Sequence, residues 1–507
     1  MTKNVLAWLE STAERTPDSV AFSGPEERLT FRALMARAAA AGTFLHPLAP
    51  PRRAVAVLMD KSCDAIAACL GAVYAGGFYA YIDRTQPAQR VQAILAQLRP
   101  AAIVTSGKLK PQAEALEAGC PVLTTEELFG GAADWGLLQT IRRNAIDTDP
   151  LYCNFTSGST GVPKGVLVCH RSVIDFITVF SETFGITDQD VLGNQAPLDF
   201  DVSVKDVFTG LLTGAEVVLI PRSYFTFLKK LLELLELRGV TTLTWAVSAL
   251  CLVSTMDGLS ALRPARLKRF MFSGEVMPPD HLRYWRRHYP DGLFVNLYGP
   301  TEITCNCTYH IVPRDADPGA ALPIGIPFPN ERVFLLDEQN AQVTKPDTEG
   351  ELCVSGTAVT LGYYNNPQRT AEAFVQNPLN TAYPEIIYRT GDLARYGADG
   401  LLYFAGRRDF QVKHHGRRVE LGEIEIALAA AGAKRACALY MDKEERIVAY
   451  VIADTPPEAL MRALRQALPD YMIPSEIIPA LTLPLNSNGK LDRKALTEAW
   501  RSRKADV

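Results

Sequence analysis

The segment Thr156-Ser157-Gly158-Ser159-Thr160-Gly161-Val162-Pro163-Lys164-Gly165 gathers three glycines, four hydroxyls and one lysine into ten residues. Glycine lets a backbone approach an anion closely and take positive φ, hydroxyls donate to it, and an ammonium adds charge, so the string is built to cradle phosphate. The order is not GxxxxGK[ST], so this is not a Walker A loop. A shorter match would read as a plain Ser/Gly turn, but the full string follows a strand-like run, Leu151-Tyr152-Cys153-Asn154-Phe155. A second candidate is weaker. Of ten cysteines only Cys305 and Cys307 approach metal-ligand spacing, and no second pair completes a site.

The loop needs a scaffold, and the flanking patterns supply one. Ala54–Met59 is an apolar strand-like run, 63–75 a helical one, 78–82 a second strand, 88–97 a helix and 101–105 a third strand. Strands alternating with helices predict parallel sheets covered by helices, and the alternation recurs at 216–220, a helix near 224–238, and 241–244. From about 313 the chain turns to short strands such as 332–336 and 350–354, a β-rich subdomain. After Gly406 it becomes charged and returns to α+β patterning. The expected fold class is α/β: a large N-terminal domain of helix-covered β-sheets with a β-rich subdomain, and a small α+β C-terminal domain. The boundary is placed at Arg408–Asp409, giving 1–408 and 409–507.

Composition limits what such a chain can do. It has 507 residues, 48% of them hydrophobic, and a net charge of −4 from 52 basic and 56 acidic side chains. That balance gives no electrostatic footprint for a nucleic acid or an anionic membrane, so any polyanion it handles is small. No run reaches the roughly 18 apolar residues of a membrane span. Glu10, Glu14 and Arg15 interrupt the N-terminal segment as a signal peptide. Scattered cysteines without a disulfide framework fit a reduced, cytoplasmic protein.

Five further strings follow the loop in order: Asn296-Leu297-Tyr298-Gly299-Pro300-Thr301-Glu302; Gly350-Glu351-Leu352-Cys353-Val354-Ser355-Gly356; Tyr388-Arg389-Thr390-Gly391-Asp392; Gly406-Arg407-Arg408-Asp409-Phe410-Gln411-Val412-Lys413; and Asn488-Gly489-Lys490-Leu491-Asp492-Arg493-Lys494. Together they resemble the adenylate-forming enzymes, within them the amino-acid adenylation domains of nonribosomal peptide synthesis, with a layout similar to the stand-alone D-alanine:carrier-protein ligases. The resemblance implies that a carboxylate attacks the α-phosphorus of ATP, expels pyrophosphate, and is captured as a thioester. Such a displacement needs charge neutralisation and alignment rather than a protein nucleophile. It assigns Thr156, Ser157, Gly158, Ser159, Thr160, Gly161 and Lys164 to the outgoing phosphates, Thr301 to the α-phosphate and Glu302 to Mg²⁺. Tyr298 is expected to stack on adenine, with Asn296, Gly299, Gly274 and Glu275 beside the nucleotide, and Asp392 and Arg407 to bind ribose. Lys490 is expected to bridge carboxylate and α-phosphate from a mobile C-terminal domain hinged at Asp409, whose rotation brings Lys413 to Gly416 to the thiol.

In the same family an Asp within Phe-Asp-x-Ser pairs with the substrate ammonium, and Phe200-Asp201-Val202-Ser203 matches it. The other pocket positions are Val202, Lys205, Thr244, Met271, Ser273, Leu297, Cys305 and Asn306, a polar set that disfavours a large apolar side chain. A cation at Lys205 needs a partner, either a substrate carboxylate or the adjacent Asp206. Val202, Ser273 and Leu297 resemble serine-activating pockets, and Ser273 stands where D-alanine ligases usually carry Cys, so serine, glutamate or aspartate, alanine and D-alanine stay open. No Gly-Gly-x-Ser follows, so the acceptor is expected to be the phosphopantetheine thiol of a separate carrier protein, served by a monomer. Two other readings remain: an acyl- or aryl-CoA synthetase, disfavoured by Asp201, and a non-catalytic module, disfavoured by Lys490, Glu302 and Asp392.

Overall fold

The computed structural model describes residues 2–158, 161–316, 321–408, 410–442, 444–484 and 491–505. The chain divides into two compact units, one of Met1–Arg84, Gln97–Asn154 and Gly165–Arg408, the other of Thr85–Ala96, Phe155–Lys164 and Asp409–Val507. The phosphate loop, assigned above to residues 1–408, thus groups with the C-terminal chain.

Among the described residues, a six-stranded sheet runs Val122–Thr124, Ala102–Thr105, Ala54–Met59, Phe78–Asp83, Pro150–Thr156, Lys164–Cys169. All six residues of Ala54–Met59 are buried, the signature of a parallel strand covered on both faces. The helix after it, Cys63–Tyr74, starts where the Ser62 hydroxyl accepts the Ala65 N–H at 3.2 Å. A nine-stranded sheet is ordered Ile326–Pro327, Thr308–Ile311, Leu293–Tyr298, Arg269–Ser273, Thr242–Ala246, Val191–Asn194, Glu216–Leu219, Val20–Ser23, Arg28–Thr30. Its five strands from Leu293–Tyr298 to Glu216–Leu219 pair in parallel, so their C-terminal ends open on one side. A third, antiparallel sheet contains Glu331–Leu336, Gly350–Gly356, Ile386–Tyr396 and Leu402–Arg407.

One expected helix differs in extent. Residues Arg222–Phe225 form a 3₁₀ turn, and the α-helix is Leu228–Leu237, because the buried stripe that docks it, Leu228, Leu231, Leu232, Leu234 and Leu235, begins only there. No disulfide joins any of the ten cysteines.

In the second unit a hairpin, Gln411–His414 with Arg417–Glu420, leads into the helix Leu421–Ala430. A three-stranded sheet, Ala433–Met441, Arg446–Ala453 and Glu476–Pro479, packs Val419, Ile424, Leu428, Ile447, Leu460, Leu464 and Met472 into its own core. No helix among the described residues is long and apolar enough to cross a membrane.

Candidate active site

The phosphate loop leaves the end of the strand Pro150–Thr156 and returns through Lys164–Cys169. A Cβ on Gly158 would lie 2.0 Å from the Val162 carbonyl oxygen, so the turn closes only with glycine there. Within its unit the loop faces carboxylates. The Gly158 N–H donates to Glu423 Oε2 at 3.2 Å, Lys164 Nζ lies 3.8 Å from Glu420 Oε1, and the Ser157 hydroxyl donates to the Arg418 carbonyl at 3.0 Å. Arg90 donates to Glu423 Oε1 at 2.6 Å in a buried pair. Burial raises the Glu423 carboxyl despite that guanidinium. Anionic oxygens sitting at an N–H and an ammonium are what a phosphate-binding loop accepts. Ser159 and Thr160 lie outside the described residues, as do Lys490 and Asp409.

In the first unit the Tyr298 hydroxyl donates to Asp392 Oδ2, and Arg407 donates to Oδ1 of the same carboxylate. The Thr390 hydroxyl accepts the Asp392 N–H at 3.0 Å and donates to the Leu352 carbonyl at 2.8 Å, locking the turn. Burial, with Asp392 beside it, pushes the Tyr298 phenol well above its ordinary value, so it stays a donor. Tyr298, Asp392 and Arg407 therefore form one cluster, a polar patch able to meet a nucleoside.

Glu302 is fully buried, and one of its oxygens accepts the Tyr363 hydroxyl at 2.7 Å. Thr301 precedes it in a 3₁₀ turn. Before that turn, a Cβ on Gly299 would lie 2.5 Å from the Asn306 Cα, so only glycine lets Cys305 and Asn306, which follow the turn, fold back against it. No group of three or more His, Cys, Asp or Glu among the described residues could hold a metal. A single carboxylate suits a Mg²⁺ whose other ligands are nucleotide oxygens and water, so Glu302 fits that role and the Cys305–Cys307 pair does not. Asn296 and Glu275 have structural bonds as well: Asn296 Nδ2 donates to the Pro323 carbonyl at 2.9 Å, and Glu275 accepts the Ser248 N–H at 3.2 Å. Gly274 takes positive φ between Ser273 and Glu275.

Two pairs of the expected amino-acid pocket positions lie on adjacent parallel strands: Thr244 beside Met271 in mid-strand, and Ser273 beside Leu297 near the C-terminal ends, the side on which open α/β sheets bind ligands. Asp201 immediately precedes the helix Val202–Thr213 without a side-chain capping bond to it, and its backbone carbonyl accepts the Cys305 thiol at 3.0 Å. Lys205 is buried, and Nζ donates to Asn306 Oδ1 at 2.6 Å. Of the two partners expected for Lys205, a substrate carboxylate and the adjacent Asp206, the second is not the one that Nζ bonds in the fold: that hydrogen bond goes to the neutral amide of Asn306. Asp206 instead accepts Asn194 Nδ2 at 2.9 Å, and burial lifts its carboxyl to about 7. Burial lowers the Lys205 ammonium, opposed by Cys305, Asp201 and Asp206. The sequence reading missed Tyr363, which lies 61 residues from Glu302 with no motif around it.

The chain matches the family model described as "AMP-binding enzyme" over residues 9–364. It is 34% identical to tyrocidine synthase 3 of Brevibacillus parabrevis over 97% of its own length, yet spans only 8% of that protein. Against the D-alanine–D-alanyl carrier protein ligase of Listeria monocytogenes it is 30% identical, covering 98% of this chain and 99% of the ligase. Its fold is similar to that of holo-PA1221, a nonribosomal peptide synthetase protein containing adenylation and PCP domains, with a TM-score of 0.83, 26% identity, and coverage of 98% of this chain and 84% of that one.

Proposed function

This chain belongs to the AMP-binding enzyme family, and we propose that it activates a polar amino acid as aminoacyl-AMP, releases pyrophosphate, and passes the aminoacyl group to the phosphopantetheine thiol of a carrier protein. The substrate carboxylate oxygen attacks the α-phosphorus while the bond to the β-phosphate oxygen breaks, so negative charge moves onto the leaving pyrophosphate. In this reading the Thr156–Lys164 loop holds that pyrophosphate, Thr301 meets the α-phosphate, Asp392 and Arg407 hold the ribose, Tyr298 meets the adenine, and Lys490 bridges the reacting oxygens. Bound Mg²⁺ neutralises phosphate charge, and Glu302 is the side chain that would hold it.

The observation that carries the amino-acid assignment is the placing of Asp201 at a helix start beside Cys305, with Lys205 and Asn306 behind it. A carboxylate there suits an α-ammonium. Lys205 gives one of its three N–H groups to Asn306, and its neighbour Asp206 is pushed toward the protonated form, so a substrate side-chain carboxylate complements the remaining positive charge. An acidic amino acid is therefore favoured over serine, alanine or D-alanine. The testing experiment is pyrophosphate exchange with each proteinogenic amino acid and D-alanine. Exchange driven by glutamate or aspartate is expected, and discharge of the adenylate by a phosphopantetheinylated carrier protein but not by CoA. Exchange with none of them, or discharge by CoA alone, would leave the CoA synthetase reading.

A further inference from the structure

One lysine of the first unit belongs to none of the motifs. Lys61 follows the strand Ala54–Met59 and precedes the Ser62 cap of Cys63–Tyr74. Its Nζ lies 3.2 Å from each of the carbonyl oxygens of Asn194, Gln195 and Ala196, and 3.1 Å from Asn194 Oδ1. Three N–H groups shared among four acceptors leave the ammonium little freedom. The three carbonyls are consecutive, at the point where the strand Val191–Asn194 of the nine-stranded sheet ends, so this lysine of the six-stranded sheet ties the two sheets together. The tie continues, because the Asn194 amide that accepts Lys61 also donates from Nδ2 to Asp206 Oδ2 at 2.9 Å.

Between those two attachments runs the stretch that presents Asp201 and Lys205. We propose that Lys61 is a positioning residue for the amino-acid pocket, clamping the segment 194–206 at both ends so that the Asp201 carboxylate and the Lys205 ammonium are held in register for the substrate. Lys61 touches neither group and acts through backbone carbonyls and one amide. The proposal rests on the reading of Asp201 and Lys205 as substrate contacts. Small displacements of such groups cost rate out of proportion to their size, which gives a distant clamp its leverage.

The test uses the full chain with Lys61→Met, Lys61→Arg and Asn194→Ala. Hydrogen–deuterium exchange is expected to speed up selectively over 195–205 in Lys61→Met, and Lys61→Arg to restore most of the protection. In pyrophosphate exchange the amino-acid KM is expected to rise about 10-fold or more while the ATP KM stays within about twofold, with Lys61→Arg again recovering most of the loss. Asn194→Ala carries the same expectation should Lys61→Met not fold, and the double variant should be no worse than the worse single one, since both cut one chain of contacts. Unchanged protection over 195–205, or amino-acid and ATP KM values that rise together, would overturn the clamp. If the wild type supports no amino-acid-dependent exchange, the activation reading fails while the protection data still decide on the clamp.

Discussion

Asp392 holds a phenol on one carboxylate oxygen and a guanidinium on the other, so its geometry is fixed before any nucleotide arrives. Bonds to a charged group are worth about 1.5–3 kcal/mol each. Asp392→Ala should therefore raise the ATP KM by about 10- to 100-fold and leave the amino-acid KM within about threefold, read from exchange at varied ATP. Lys205→Ala should weaken an acidic substrate selectively; if the preferred amino acid is neutral and unaffected, Lys205 serves only to hold Asn306. The string Thr390-Gly391-Asp392 made the first of these residues legible in the sequence. The Lys205–Asn306 bond was not, because it joins positions 101 residues apart and pairs a cation with a neutral amide where charge arguments look for an acid.

Elements were most legible where burial is complete. Ala54–Met59 is a continuous apolar run and Cys63–Tyr74 is interrupted only by Asp64 in its first turn, and turn and cap residues bound them. The helix near 228 was less legible, since the Pro221-to-Phe227 stretch has apolar residues without the stripe that docks a helix. Packing between elements leaves a pH signature. His170 opens the helix His170–Phe184, and its Nδ1 accepts the Val5 N–H at 3.4 Å, which anchors the residue before Leu6–Arg15. Burial, helped by Arg142, holds His170 down to about 3, against about 6.5 in an unfolded chain. The folded state then binds fewer protons, so this contribution is complete above about pH 6.5 and is lost as pH falls toward 3. The melting temperature should fall more steeply from pH 7 to pH 4 in the wild type than in His170→Gln; equal slopes would show that His170 does not carry the effect.

At the scale of the whole molecule, a near-neutral chain places its positive charge locally, at Lys164, Arg407 and Lys205, and the net charge of −4 conceals this. Motif order predicts a division at Arg408–Asp409, whereas the grouping of Phe155–Lys164 with the C-terminal chain has no local signal, because it comes from contacts such as Gly158 with Glu423 that no local pattern encodes. If Lys490 acts only in adenylation, Lys490→Ala should lose most adenylate formation, by about 10²-fold or more, yet still transfer from supplied aminoacyl-adenylate; equal loss in both would contradict a two-step account. The central claim is that Asp201 selects an α-ammonium. The most direct measurement is pyrophosphate exchange driven by the preferred amino acid compared with its des-amino analogue, glutamate against glutarate if glutamate is preferred. The account predicts exchange with the amino acid and at least about 10²-fold less with the analogue, because Asp201 would be left facing no cation. Equal exchange with both would contradict it.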